Sequence, residues 1–199
     1  MDTSFQIIKE IAHSSDGLIT TKQVEEAGLS RTVLKPFVDK GILLKESHGI
    51  YSLYESIPDE FKLIQMRSEK IIFSYGTALY LLGMSDRVPH IIDVTVPQGY
   101  NVSRIKKDYP TIHFHYINKD LWKLGITIIK SPMGANVKIY DKERCICDLI
   151  RDKKNIDSQL YIQAIKEYFK FGSNIRKILK YGKQIGVEEK LRTYIEVLL

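Results

Sequence analysis

The chain has 199 residues, 44% of them apolar and 27% charged, with 30 Lys/Arg against 24 Asp/Glu and a net charge of +6. That composition excludes a disordered chain, and the length suffices for one large domain or two small ones with real cores. The longest apolar runs, such as Ala78–Leu82 and Ile126–Ile129, fall far short of the ~20 residues of a membrane span, so no membrane helix is expected.

The opening MDTSFQIIKE places an acid early and has no apolar h-region, so no secretory signal is expected. Cys145 and Cys147 are the two cysteines. One residue apart on a helix, they would point away from each other and make a poor disulfide. A reducing cytoplasm is therefore the expected setting, and the sequon Asn101-Val102-Ser103 is expected to carry nothing. Charge is unevenly spread. Residues 1–57 hold six Lys/Arg and eight Asp/Glu, a net of −2, and the other 142 hold 24 and 16, a net of +8. If the protein binds nucleic acid, most of the attraction lies outside the N-terminal segment.

Phe5, Ile8, Ile11 and Ala12 recur at helical spacing and predict an amphipathic first helix, broken at Gly17. Leu18-Ile19 is a short extended link. Thr20 caps a second helix, with Gln23 three residues on completing a capping box, and Gly28 ends it. Ser30 caps a third helix through Lys40, whose buried stripe is Val33, Leu34, Phe37 and Val38. Pro36 stands inside it and predicts either a kink or an irregular first turn, since an interior proline costs about 3 kcal/mol. Ile42–Lys45 and Ile50–Leu53, around Glu46-Ser47-His48-Gly49, read as a hairpin. Three helices followed by a hairpin describe a winged helix-turn-helix over residues 1–57. Arg31, Thr32 and Lys35 would then present to base edges in the major groove. Thr20, Thr21 and Lys22, at a helix N-terminus, suit phosphate oxygens; Lys45 and His48 would lie on the wing. A winged fold serving protein contacts is the alternative.

Pro58-Asp59 marks the expected linker to a second domain, residues 58–199. Residues 59–74, DEFKLIQMRSEKIIFS, lead to a helix capped by Ser74, and HIIDVTVP is a strand stopped by Pro97. TIHFHYI, GITIIK and NVKIY are further strands, and Asp141 caps the helix KERCICDLIRDKK. Three more helices follow, near 157–171, 174–183 and 187–198. The whole predicts an α+β protein, with an N-terminal winged helix-turn-helix followed by a mixed α/β domain with a small sheet and a helical C-terminus.

This second half shows no strong catalytic constellation. His113 and His115 share one strand face and could ligate a metal, but no third and fourth ligand stands at recognisable spacing, so no metal site is expected. Cys145 and Cys147 are expected to pack. Asp93 and Asp148 lack the companion motifs of nucleases and transferases. Asp148 is expected to pair with Arg144 at i−4 or Arg151 at i+3. From Lys166 to Lys183 six basic residues, Lys166, Lys170, Arg176, Lys177, Lys180 and Lys183, meet one acid, Glu167. Arg176, Lys180 and Lys183 share an i, i+4, i+7 face with little of the usual mixing of signs, which favours a phosphate partner over a plain solvated face. Tyr168, Phe169, Phe171 and Tyr181 between them are expected to be mostly core. Arg104, Lys106 and Lys107 form a second cluster, expected in a loop.

The ordered set GLITTK at Gly17–Lys22, GLSR at Gly28–Arg31, KGIL at Lys40–Leu43 and GIYSL at Gly49–Leu53 resembles the N-terminal domain of AbiEi-type antitoxins. The resemblance continues in Ser74–Pro97 and Val137–Lys154; Pro36 departs from it. It implies a two-domain antitoxin of a type IV toxin–antitoxin system, active in abortive phage infection and antagonising a nucleotidyltransferase-like toxin without a stable complex. It also implies repression of its own operon through inverted or tandem repeats in double-stranded promoter DNA. On this reading the phosphate contacts come from Thr20, Thr21, Lys22, Lys45, His48, Arg176, Lys180 and Lys183. No catalytic residue, cofactor or membrane partner is expected. The alternatives are a transcription factor with a ligand-sensing C-terminal domain, or an enzyme that modifies a toxin or nucleic acid.

Overall fold

The structure is a computed structural model that describes residues 3–170 and 172–198. Its chain falls into two compact units: one runs through Arg67 and includes Met133–Ala135, and the other comprises Ser68–Pro132 and the chain from Asn136 onward.

The first unit begins with α1 (Thr3–Ser14), followed by the short strand β1 (Leu18–Thr20) and α2 (Thr21–Glu26). Thr20 is the N-cap of α2 and makes both halves of the capping box with Gln23, which satisfies donors that a helix start leaves open. After the turn at Gly28, residues Arg31–Val33 form a tight 3₁₀ turn and α3 spans Leu34–Asp39. Of the two outcomes that Pro36 allowed, the irregular first turn is the one found. Because α3 starts at Leu34, Pro36 falls in its first turn, where the missing N–H has no helical acceptor to lose. Its carbonyl still accepts from the Lys40 amide at 3.2 Å.

β2 (Leu43–Ser47) and β3 (Ile50–Leu53) form an antiparallel hairpin with a bulge between Lys45 and Ser47. β1 pairs with the other edge of β3, so the sheet order is β1-β3-β2. Ile8, Ala12, Ile19, Val24, Leu34, Phe37 and Leu43 make the core, with Phe5 stacked on Phe37 at 5.3 Å. α4 (Glu60–Met66), capped by Asp59, follows; it was not expected as a helix of its own.

The second unit is built on a five-stranded mixed sheet, β6-β5-β4-β8-β7. Its elements in chain order are β4 (Ile72–Phe73), α5 (Tyr75–Leu81), β5 (Ile92–Pro97), α6 (Ser103–Asp108), β6 (Ile112–Ile117), α7 (Lys119–Lys123), β7 (Ile126–Lys130) and β8 (Asn136–Tyr140). β5 and β6 are parallel, with α6 as their crossover, and β7 and β8 form an antiparallel pair, as a short connection permits. Then come α8 (Lys142–Arg151), α9 (Ser158–Lys170), α10 (Ile175–Ile185) and α11 (Glu188–Leu198). α8 is buried from Glu143 to Ile150 and is packed by α5, α9, α10 and α11.

Three local expectations are corrected. Ser74 stands at the N-cap position of α5 but makes no side-chain cap bond; its oxygen accepts instead from the Thr95 hydroxyl at 2.9 Å. Arg104, Lys106 and Lys107 lie on helix α6, not in a loop. The segment before Ser74 contains the strand β4, which pairs with β5 and β8. Two or five residues are too few for periodicity to show, which hid β4 and α7.

Candidate functional sites

The exposed polar surface of the first unit is organised by the capping box and the hairpin turn. Thr21 donates its amide to the Gly49 carbonyl at 3.0 Å. Gly49 adopts φ +73°, and a Cβ on it would stand 3.0 Å from Thr21 Oγ1, so only glycine lets the turn approach the start of α2. This contact brings His48 beside the Thr20–Lys22 segment. Thr20's hydroxyl is committed to the cap, accepting from the Gln23 amide at 3.1 Å and donating to its side-chain oxygen at 2.8 Å. Lys22, Lys45 and His48 are exposed. Lys22 lies 3.6 Å from Glu26, both of them largely exposed, a pairing weak enough to be exchanged for another anion.

Arg31, Thr32 and Lys35 are all exposed. The 3₁₀ turn carries Arg31 and Thr32, while Lys35 belongs to the first turn of α3. Ser30 Oγ and Thr32 Oγ1 are 2.8 Å apart, which fixes the Thr32 side chain.

On the second unit Arg176, Lys180 and Lys183 are exposed along α10, as are Lys166 and Lys170 on α9. Lys177 differs: it turns toward Asp141 and Glu143, at 3.0 and 2.9 Å. Desolvation pulls its pKa down, but the bonds it donates to those carboxylates and their charges together raise it. Tyr168 and Phe169 are core, while Tyr181 is partly buried. Phe171 lies outside the described residues.

Two polar centres lie within the second unit. The first is Arg144, fully buried, whose Nε donates to Asp148 Oδ2 at 2.9 Å. Its Nη1 donates to the Leu121 carbonyl and to that of Leu124 at 2.9 Å. Its guanidinium lies 4.3 Å from the Tyr140 ring centroid. A Cβ on Gly125 would fall 2.7 Å from Arg144 Cβ, so glycine is what admits the side chain. Arg151 approaches Asp148 Oδ1 at 3.1 Å, so both pairings expected of Asp148 are present. Burial pushes the Asp148 carboxyl above its ordinary range, against the pull of Arg144 and Arg151. Burial likewise pushes the Cys147 thiol up to about 12 and Cys145 well above its usual value. Both remain thiols at neutral pH, and both are free and buried.

The second centre opens onto a cavity of about 1170 Å³, lined among others by Tyr75, Arg87, His90, Asp93, His113, His115 and Leu160. Asp93 comes from β5, and His113 and His115 come from the neighbouring parallel strand β6; Asp93 is the register partner of His113. Both imidazoles address one oxygen: Asp93 Oδ1 is 3.3 Å from His113 Nδ1 and 2.8 Å from His115 Nε2. Tyr75 stacks on His115, with ring centroids 3.9 Å apart. The Tyr75 hydroxyl donates to Asp152 and accepts from Arg151 Nη2, the latter at 2.9 Å. Although partial burial acts the other way, the bonds from Arg151 and Tyr75 hold Asp152 below the ordinary carboxylate range. Spacing along the chain could not reveal Asp93 as the companion of the two histidines, since twenty residues and a helix separate them.

No helix among the described residues is long and apolar enough to cross a membrane. The first unit thus offers short helices packed with a three-stranded sheet and exposed Arg and Lys side chains, and the second an α/β unit with a polar cavity. Residues 6–54, from within α1 to just past β3, match the family described as "Transcriptional regulator, AbiEi antitoxin". That match bears out the resemblance over the first unit. Among curated proteins no sequence matches. Among solved structures the fold is similar to the crystal structure of the RV2827C protein from Mycobacterium tuberculosis. The TM-score is 0.61 at 12% identity, over 90% of this chain and 71% of that one.

Proposed function

We propose that the protein is the antitoxin of a type IV toxin–antitoxin system, counteracting a nucleotidyltransferase-like toxin without a stable complex and repressing its own operon. The observation that carries this reading is the family match over residues 6–54. In it the first unit acts as a winged helix-turn-helix, with the hairpin β2–β3 as the wing. Arg31, Thr32 and Lys35 read base edges of inverted or tandem promoter repeats, each good contact giving about 1–3 kcal/mol of discrimination. Thr21, Lys22, Lys45 and His48 contact phosphates, and Thr20 fixes the helix start that presents them. Because residues 1–57 carry a net charge of −2, this unit is a weak electrostatic anchor on its own. Arg176, Lys180 and Lys183 supply further phosphate contacts from the second unit.

A gel shift on the DNA upstream of the operon tests the proposal. The wild-type protein is expected to retard a promoter fragment selectively, and Arg31→Ala with Lys35→Ala is expected to abolish the selectivity. Unaltered selective binding by that double variant removes the base-reading role from this helix. One observation favours a second reading, a transcription factor that senses a ligand through its C-terminal unit: the cavity of about 1170 Å³ beside Asp93. A nucleotidyltransferase gene adjacent in the genome decides for the antitoxin.

A further inference from the structure

Asp93, His113 and His115 have no part in the proposed DNA surface, and their geometry asks for an occupant. The three donor atoms, one from each residue, all lie within 4.8 Å of one another. Ligands placed tetrahedrally at about 2.0–2.1 Å from a zinc ion stand about 3.3 Å apart. Asp93 Oδ1 and His113 Nδ1 already keep that separation, at 3.3 Å, and His115 Nε2, at 2.8 Å, needs to retreat by about half an ångström. We propose that Asp93 Oδ1, His113 Nδ1 and His115 Nε2 bind one divalent transition-metal ion, zinc(II) being the best match, with its remaining coordination open to the cavity.

The donor set selects the class of ion. Two imidazoles and one carboxylate suit zinc and its neighbours, whereas magnesium and calcium demand oxygen. Three protein ligands with an open position toward a cavity is also the pattern of reactive, exchangeable zinc sites, not of closed structural ones. An isolated Asp–His hydrogen bond accounts for His115. Strand register alone sets His113 beside Asp93, and the outcome is that two imidazoles share one carboxylate oxygen, the second of them on a side chain 62% exposed and so within reach of an ion entering from the cavity.

The surroundings are built to hold these groups in place. All three sit on paired strands of the sheet, where Thr95 is the register partner of His115 and Asp93 that of His113. A Cβ on Gly76 would stand 3.2 Å from Asp93 Oδ2, so glycine keeps room for that carboxylate. Tyr75, which stacks on His115, holds φ at +45°. For a bulky residue that conformation is costly, and such outliers cluster at functional sites. Asp152 nearby is held by Arg151 and Tyr75, so it supports the stacking residue and stays out of the ligand set.

The inference stands apart from the DNA-binding reading, and either can fail alone. Cobalt(II) titration of the metal-stripped full-length protein tests it. One equivalent is expected to develop the visible absorption of a four- or five-coordinate ion, and zinc(II) is expected to displace it. His113→Ala, at an exposed side chain, is expected to keep the fold by circular dichroism and to weaken binding at least tenfold; Asp93→Asn is expected to do the same. His90→Ala, in the same cavity, is expected to bind as the wild type does. No stoichiometric binding by the wild type, or binding unchanged by His113→Ala, overturns the proposal, as does an equal loss with His90→Ala.

Discussion

The two units use charge in opposite ways. The core of the first is a cluster of aliphatic and aromatic side chains, from Ile8 to Leu43, and its functional candidates Arg31, Lys35 and Lys22 are exposed. The second buries an arginine and an aspartate inside its central helix and surrounds them with Tyr140, the Leu121 and Leu124 carbonyls and Arg151. A buried ion pair does not have to stabilise a fold relative to apolar packing, but removing one partner strands the other in a low dielectric. Charge is therefore replaceable on the first unit at little cost in stability, and irreplaceable in the middle of the second. Mutations read differently in the two halves for that reason.

The largest expected effect tests the buried side of this contrast. Arg144→Ala leaves Asp148 without its closest partner and opens a void, and is expected to cost about 3–5 kcal/mol of stability. The single tryptophan, Trp122, lies in the second unit and donates its indole N–H to the Lys70 carbonyl, so its fluorescence during urea unfolding reports on that unit. A midpoint unmoved by the substitution breaks the comparison. Arg31→Ala with Lys35→Ala, by contrast, is expected to change stability by under ~0.5 kcal/mol, as surface substitutions usually do.

A smaller effect concerns the basic face of α10. Reversing Arg176, Lys180 and Lys183 to glutamate is expected to weaken promoter binding by at least tenfold at moderate salt. It is also expected to lower the slope of log affinity against log salt by about three, one for each lost phosphate contact. Filter binding over a range of potassium chloride measures both. An unchanged slope assigns that face to something other than DNA and sharpens the division of labour between the units.

The smallest effect lies in the first unit. Thr20→Ala removes the cap that satisfies the Gln23 amide and is expected to cost about 1 kcal/mol. Because Trp122 is in the other unit, hydrogen exchange of the α1 and α2 amides is the proper readout. Protection lost in these helices alone is the expected result; loss that extends through the second unit breaks the comparison.

Much of this was legible from local patterns. The capping box at Thr20 and Gln23, the stop at Gly28, the hairpin around His48-Gly49 and the cap at Asp141 are set by neighbours within a few residues. So is the i−4 and i+3 pairing of Asp148. The misses have two causes, a distant partner and an element too short to show its period. Ser74 carries a good capping side chain, yet Thr95, on a strand twenty-one residues away, takes its oxygen. α6 was taken for a loop because six residues with one buried side chain, Ile105, give no stripe to read.

By itself the sequence determined the helices α1 to α3, the strands β5 to β8, the caps at Thr20, Ser30 and Asp141, the asymmetry of charge and the family resemblance of the N-terminal segment, because short-range backbone and burial rules act within one element. Only the tertiary structure decided that β5 and β6 run side by side in parallel, that Pro36 meets a helix beginning at Leu34, and that Lys177 leaves the basic face for Asp141 and Glu143. It alone brought Asp93 to the two histidines. Strand order is chosen by the packing of all the elements at once, and no local spacing records which distant carboxylate ends beside which imidazole.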